Sequence, residues 1–156
     1  MAADASNRRA AADFAALNGA LNENERTLTA FDALPSGDPR RVALLVRVYD
    51  LLIKAKRYAD AAKARPQAKM EQDFDRDIEQ MARMAAMPRP ANRPDPFVGY
   101  VTQSTVENVE VLIGSGQLEG ARALGEKLLG KMAGSDDVKK QLHDAAVRAG
   151  HPEVFP

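Results

Sequence analysis

The stretch Asp38-Pro39-Arg40-Arg41-Val42-Ala43-Leu44-Leu45-Val46-Arg47-Val48-Tyr49-Asp50-Leu51-Leu52-Ile53-Lys54 decides how the fold is read. Asp38 offers a carboxylate to the first unpaired N–H groups of a helix, and Pro39 falls at the first helical position, where its missing N–H costs nothing. On a helical wheel Ala43, Arg47, Asp50 and Lys54 form one narrow polar strip. Val42, Leu44, Leu45, Val46, Val48, Tyr49, Leu51, Leu52 and Ile53 cover the rest. Such a helix packs on more than one side, and it is expected at the centre of its domain.

Towards the N-terminus, Phe14, Leu17, Leu21, Leu28 and Phe31 recur at helical spacing, which predicts a helix from near Ser6 to Leu34, weakened at Gly19 and stopped by Pro35-Ser36-Gly37. Towards the C-terminus a third helix opens near Tyr58 and is expected to split at Pro66, which lacks an N–H and clashes with the preceding turn. The next segment places Met70, Phe74, Ile78, Met81 and Ala85 on one face. Prolines 88, 90, 94 and 96 then predict an extended connection across 88–96, a candidate sub-boundary within a single helical domain, 1–156. After it, Val106, Val109, Leu112 and Ile113 follow helical spacing, while the β-branched residues of 98–113 keep a strand reading open. Gly114-Ser115-Gly116 ends that element. Leu118, Ala121, Leu124 and Leu128 begin another helix, closed by Gly134. Ser135-Asp136-Asp137 caps a last helix that stops at Gly150, and His151 to Pro156 reads as a tail.

The composition sets limits on function. With 156 residues the chain is long enough to bury a core unaided, and the absence of cysteine removes disulfides, thiolate zinc sites and cysteine nucleophiles together. The formal net charge is zero, so no global field draws it to nucleic acid or to an anionic membrane. The longest apolar segment, Val42 to Ile53, carries Arg47 and Asp50, so no membrane span and a soluble chain are expected. The start, Met1 to Ser6, has no apolar signal core. Ala3-Asp4-Ala5-Ser6 would also suit a processed N-terminus, which leaves cytoplasm and export both open.

An internal repeat emerges at an offset of 60 residues, where Leu45, Val48, Leu52, Tyr58 and Ala61 align with Thr105, Asn108, Leu112, Leu118 and Ala121. The segments Lys56-Arg57-Tyr58-Ala59-Asp60-Ala61-Ala62 and Gly116-Gln117-Leu118-Glu119-Gly120-Ala121-Arg122 resemble the turn and second-helix start of tetratricopeptide repeats. The resemblance covers Val42 to Asp75 and Thr102 to Ser135. It departs from the family at Lys56, where glycine is usual, at Asp73 and Asp136, where the terminal proline falls, and in the extra sequence between the copies. It implies an all-α fold of antiparallel helical hairpins, a short right-handed array of about six helices; an irregular helical bundle is the alternative. It also implies a peptide groove lined by Ala43, Val46, Asp50, Ile53 and Lys54, then by Gln103, Val106, Glu110 and Ile113. Acidic Asp50 and Glu110 at two of the lining positions argue against the family's capture of a C-terminal carboxylate.

Motifs for chemistry are weak. Asp73-Phe74-Asp75-Arg76-Asp77 alternates acids like a calcium loop but has Ile78 and Met84 where glycine and glutamate belong, and so reads as a solvated helical face. Glu71, Asp75 and Glu79 read as an exposed stripe, with Arg83 one turn after Glu79. His143 and His151 lack metal-binding spacing, and His143 reads as a surface residue. No Gly-x-Ser-x-Gly elbow or phosphate-binding glycine loop occurs. No catalytic residue, metal or cofactor is therefore expected. Residues 40–69 hold nine Lys or Arg against Asp50 and Asp60, a net +7. A nucleic-acid site there would use Arg40, Arg41, Arg47, Lys54, Lys56 and Arg57 with Tyr49 or Tyr58 stacking, but pairing with the acids at 71–79 is favoured. The Pro-rich segment lacks Pro-x-x-Pro spacing and reads as a spacer. The expectation is a non-enzymatic module that binds a protein or peptide through Val46, Arg47, Asp50, Ile53, Lys54, Gln103, Val106 and Glu110. A self-associating structural protein and a basic-patch nucleic-acid binder are the alternatives.

Overall fold

The structure is a computed structural model that describes residues 23–68, 72–88, 95–132 and 135–156. The expected helix before Glu23, with Phe14, Leu17 and Leu21, lies outside these residues, as do Met70, Glu71, residues 89–94 and Gly134. The chain divides into two compact units, Met1–Met70 and Glu71–Pro156. All regular structure among the described residues is helical, and none of these helices is long and apolar enough to cross a membrane.

In the first unit, α1 (Glu23–Ala33) buries Ala30 and Phe31 and is followed by a turn in which the Asp38 N–H donates to the Pro35 carbonyl over 3.0 Å. The second helix, α2 (Pro39–Lys54), starts as its sequence dictates: Asp38 accepts from the Arg40 N–H at 2.9 Å, with Pro39 in the first turn. Leu45, Val48, Tyr49 and Leu52 face inward. Val42 and Val46 do not, each being 56% exposed; α2 packs on both α1 and α3, as a central helix does, and keeps one face exposed. Five charged side chains among its sixteen residues keep one face in water. The third helix, α3 (Tyr58–Ala68), runs through Pro66 instead of splitting there. Proline in a helix interior costs about 3 kcal/mol, but Pro66 lies two residues from the end, where only the final turn loses a bond. Tyr58, Ala61 and Ala64 are buried.

In the second unit, α4 (Phe74–Ala85) is capped by Asp73, which accepts from the Arg76 N–H at 3.0 Å, so the would-be calcium ligand is a helix cap. Ile78 and Met81 are fully buried, whereas Ala85, expected on the same face, is exposed at the helix end. Asp95 and Pro96 repeat the start signal of α2 and open α5 (Pro96–Gly114), so Pro96 belongs to the helix. The helix packs against α4, α6 (Leu118–Lys131) and α7 (Asp136–Arg148). Burial on three sides overrides the strand preference of its valines and threonines. Thr105 settles its hydroxyl by donating to the Val101 carbonyl at 2.7 Å. With only Glu107 and Glu110 charged in nineteen residues, α5 is the enclosed helix of its unit. Ser135 caps α7, accepting from the Val138 N–H at 3.3 Å.

The C-terminal segment is corrected from a tail to a packed element. Pro152–Val154 forms a short 3-10 turn, and Val154 and Phe155 are buried in the core with Ala121, Leu128, Leu142 and Ala145. His143, expected at the surface, is half-buried, and its Nδ1–H donates to the Phe155 carbonyl at 2.8 Å. Two apolar residues at the chain's end are enough to draw it onto core that α6 and α7 leave uncovered.

Candidate functional site

A cleft of about 210 Å³ lies between α1, α2 and α3 of the first unit. Its floor is apolar and buried: Phe31, Leu45, Leu52 and Ala64. Val42, Ser36 and Lys63 stand exposed around it.

Arg41 dominates the chemistry of this cleft. Its guanidinium stacks over the Phe31 ring, 3.9 Å from the centroid, and Nη1 donates to the carbonyls of Phe31 at 2.7 Å and Leu34 at 2.9 Å. The Phe31 carbonyl, which also accepts from the Leu34 N–H at 3.2 Å, belongs to the last turn of α1, at the negative end of the dipole, so the cation caps that helix. Nε and Nη2 make no hydrogen bond among the described residues, and neither is a buried unpaired group. Arg57 is placed differently. Its guanidinium is clasped by Asp32 at 2.8 Å and by Asp60 at 2.8 Å, which raises its pKa above that of an ordinary arginine, the Asp32 bond being the larger cause. A wider groove of about 510 Å³ runs past Glu23, Glu25, Leu28, Leu51 and Lys54.

The structure distributes the sequence-predicted site residues unevenly. Val46, Arg47, Asp50 and Lys54 are exposed along one face of α2, with Ile53 half-buried beside them. On α5, Gln103 is exposed, but Val106 and Ile113 belong to the core of the second unit. Glu110 is 5% exposed and accepts from Arg148 Nε at 2.9 Å and Nη2 at 2.7 Å. The acids Asp75 and Glu79 pair with Lys127 at 2.6 Å and Lys131 at 2.9 Å, two rungs joining α4 to α6. The Lys131 bond holds the Glu79 carboxyl below the ordinary glutamate value. Asp75 and Glu79 therefore stay solvent-exposed, as expected of the stripe, but their ion-pair partners are lysines of α6.

Tyr49 and Tyr58, the proposed stacking platforms, are 0% and 6% exposed, so neither offers a ring face to a base. Tyr49 accepts from Arg65 Nη1 at 2.7 Å through its hydroxyl. Among the described residues no three His, Asp or Glu side chains are grouped to hold a metal ion. Sequence reasoning did not single out the cleft because Phe31 and Arg41 sit on different helices, and neither residue's own spacing pattern signals that they stack. No protein-family model matches the chain, and no curated protein or solved structure shows significant similarity to it.

Proposed function

We propose that this chain is a non-enzymatic helical module that binds a peptide or a segment of another protein through its first unit. The observation that carries the reading is the cleft of about 210 Å³ beside the outward face of α2, where Val42 and Val46 each remain 56% exposed. Exposed valines one helical turn apart, next to a concave apolar floor and rimmed by charge, make the kind of surface on which a partner's apolar side chain finds a desolvated seat.

The tetratricopeptide-like architecture belongs to the same proposal. It is supported by the hairpins α2–α3 and α5–α6, which end their first helices with the same bonds: Arg57 N–H to Leu52 and Gln117 N–H to Leu112, both at 2.8 Å. Ala61 and Ala121, the expected close-approach positions, are both 0% exposed. A similar cap ends α7, where the His151 N–H donates to Ala146, so the alanines support the pairing more specifically than the turns do.

The test is a random-peptide selection on the full chain, followed by hydrogen exchange with an enriched peptide bound. Slowed exchange in α2 and α3 is the expected result. Failure to enrich any peptide, or protection confined to α4–α7, would overturn the reading.

A further inference from the structure

Resting on that reading, we propose that the cleft between α1, α2 and α3 anchors a peptide that sets one apolar side chain next to a carboxylate. The size of the cleft speaks first. At about 210 Å³ it is smaller than the roughly 300–1,000 Å³ that enclose drug-sized ligands or cofactors. It matches a single side chain inserted from a chain lying across the surface. The floor of Phe31, Leu45, Leu52 and Ala64 offers that side chain only carbon.

The anion is specified by Arg41. Ring stacking at 3.9 Å and two carbonyl bonds from Nη1 hold the guanidinium in place, so little ordering remains to be done on binding. The other edge, Nε and Nη2, makes no hydrogen bond among the described residues and presents two parallel N–H groups whose spacing suits the two oxygens of a carboxylate. Lys63, on α3 and exposed, adds a second cation to the same lining. Arg57 adds none: it is held by Asp32 and by Asp60, which also lines the cleft, and the three together carry a net negative charge, so the attraction rests on Arg41 and Lys63. The charge surplus of the surrounding segment, nine Lys or Arg against two Asp over residues 40–69, favours an acidic partner over a neutral one. The buried tyrosines withhold the stacking that a single-stranded nucleic acid would need.

Peptides enriched on the full chain should share an Asp or Glu within two residues of Leu, Ile, Val, Phe or Met. Replacing that Glu by Gln in a synthetic copy should weaken binding about tenfold, as loss of a charge-assisted, two-pronged contact does. Raising NaCl from about 50 to about 500 mM should weaken the Glu peptide and spare the Gln copy. On the protein, Arg41→Lys keeps the charge but removes the paired N–H edge, and Lys63→Glu reverses an exposed charge that holds no helix together. Each should weaken the Glu peptide about tenfold and leave the Gln copy unchanged. Arg41→Lys also removes a helix cap, so Lys63→Glu decides if that variant is unstable. Enriched peptides without a shared acid, or binding that ignores Lys63→Glu, would overturn the acidic-anchor assignment while leaving peptide binding in place. Preferential binding of a single-stranded oligonucleotide that Lys63→Glu abolishes would overturn it in favour of nucleic acid. An empty selection would remove both proposals.

Discussion

The ring of Phe155 rests on the backbone of α6 at Gly125, so closely that a methyl group built there would overlap its tip. The contact joins the end of the chain to the core and turns an ordinary helix glycine into a required one. Gly120 and Gly130, on the same helix, face open space. Alanine at Gly120 or Gly130 should therefore stabilise the fold by about 0.4–1 kcal/mol, through restricting the unfolded chain. Gly125→Ala should destabilise it by about 1–3 kcal/mol. In a double-mutant cycle read from denaturant midpoints, Gly125→Ala should cost far less once Phe155 is alanine.

The turns after α2 and α5 differ in one residue of consequence. Lys56 and Gly116 both take positive φ, 57° and 84°, and both pass the chain into the next helix through the same pair of bonds. A side chain in that region costs about 1–2 kcal/mol relative to glycine, partly returned as unfolded-chain entropy. Lys56→Gly should raise stability by up to about 1 kcal/mol, and Gly116→Ala should lower it by about 1 kcal/mol. Thermal midpoints of the two variants test this, and a stabilising Gly116→Ala would contradict the assigned turn.

Asp38 makes the start of α2 sensitive to acid. Its hydrogen bonds from the Arg40 guanidinium and the Arg40 N–H lower its pKa from the ordinary 3.8 to about 2. Because the folded state holds this carboxyl below its unfolded value, the contribution is complete above about pH 4 and fades as pH falls towards 2. Asp38→Asn keeps a capping oxygen but cannot titrate. Its thermal midpoint should lie below that of the parent at neutral pH and converge with it near pH 2, a pattern that circular dichroism melts across this range would reveal.

Ala61 and Ala121 test the paired-hairpin interpretation. Both are 0% exposed, so leucine at either should overpack its hairpin and cost about 1–3 kcal/mol. Asp50→Ala and Lys54→Ala lie on the exposed face of α2 and should fall within about 0.5 kcal/mol of the parent. Denaturant midpoints for the four variants compare these sites directly, and silent leucines would remove the structural basis for the repeat.

Local signals were legible from the residues themselves because they act over a few positions of the chain. Asp38-Pro39 and Ser135 declared helix starts without reference to neighbours, since a cap satisfies backbone groups two or three residues away. Lys56 and Gly116 stand at hairpin turns for the same reason, and Ala61 and Ala121 became candidate contact points through their repeated spacing. Burial is a different kind of property, settled by which faces find partners. Tertiary packing decided that Val46 stays exposed on α2, that Glu110 is buried against Arg148, and that Asp75 and Glu79 pair with α6. It also seated Phe155 on Gly125 and laid Arg41 across Phe31. Helix starts and turns are stabilised by groups adjacent along the chain, whereas the cleft and the docked C-terminus depend on groups that only folding brings together.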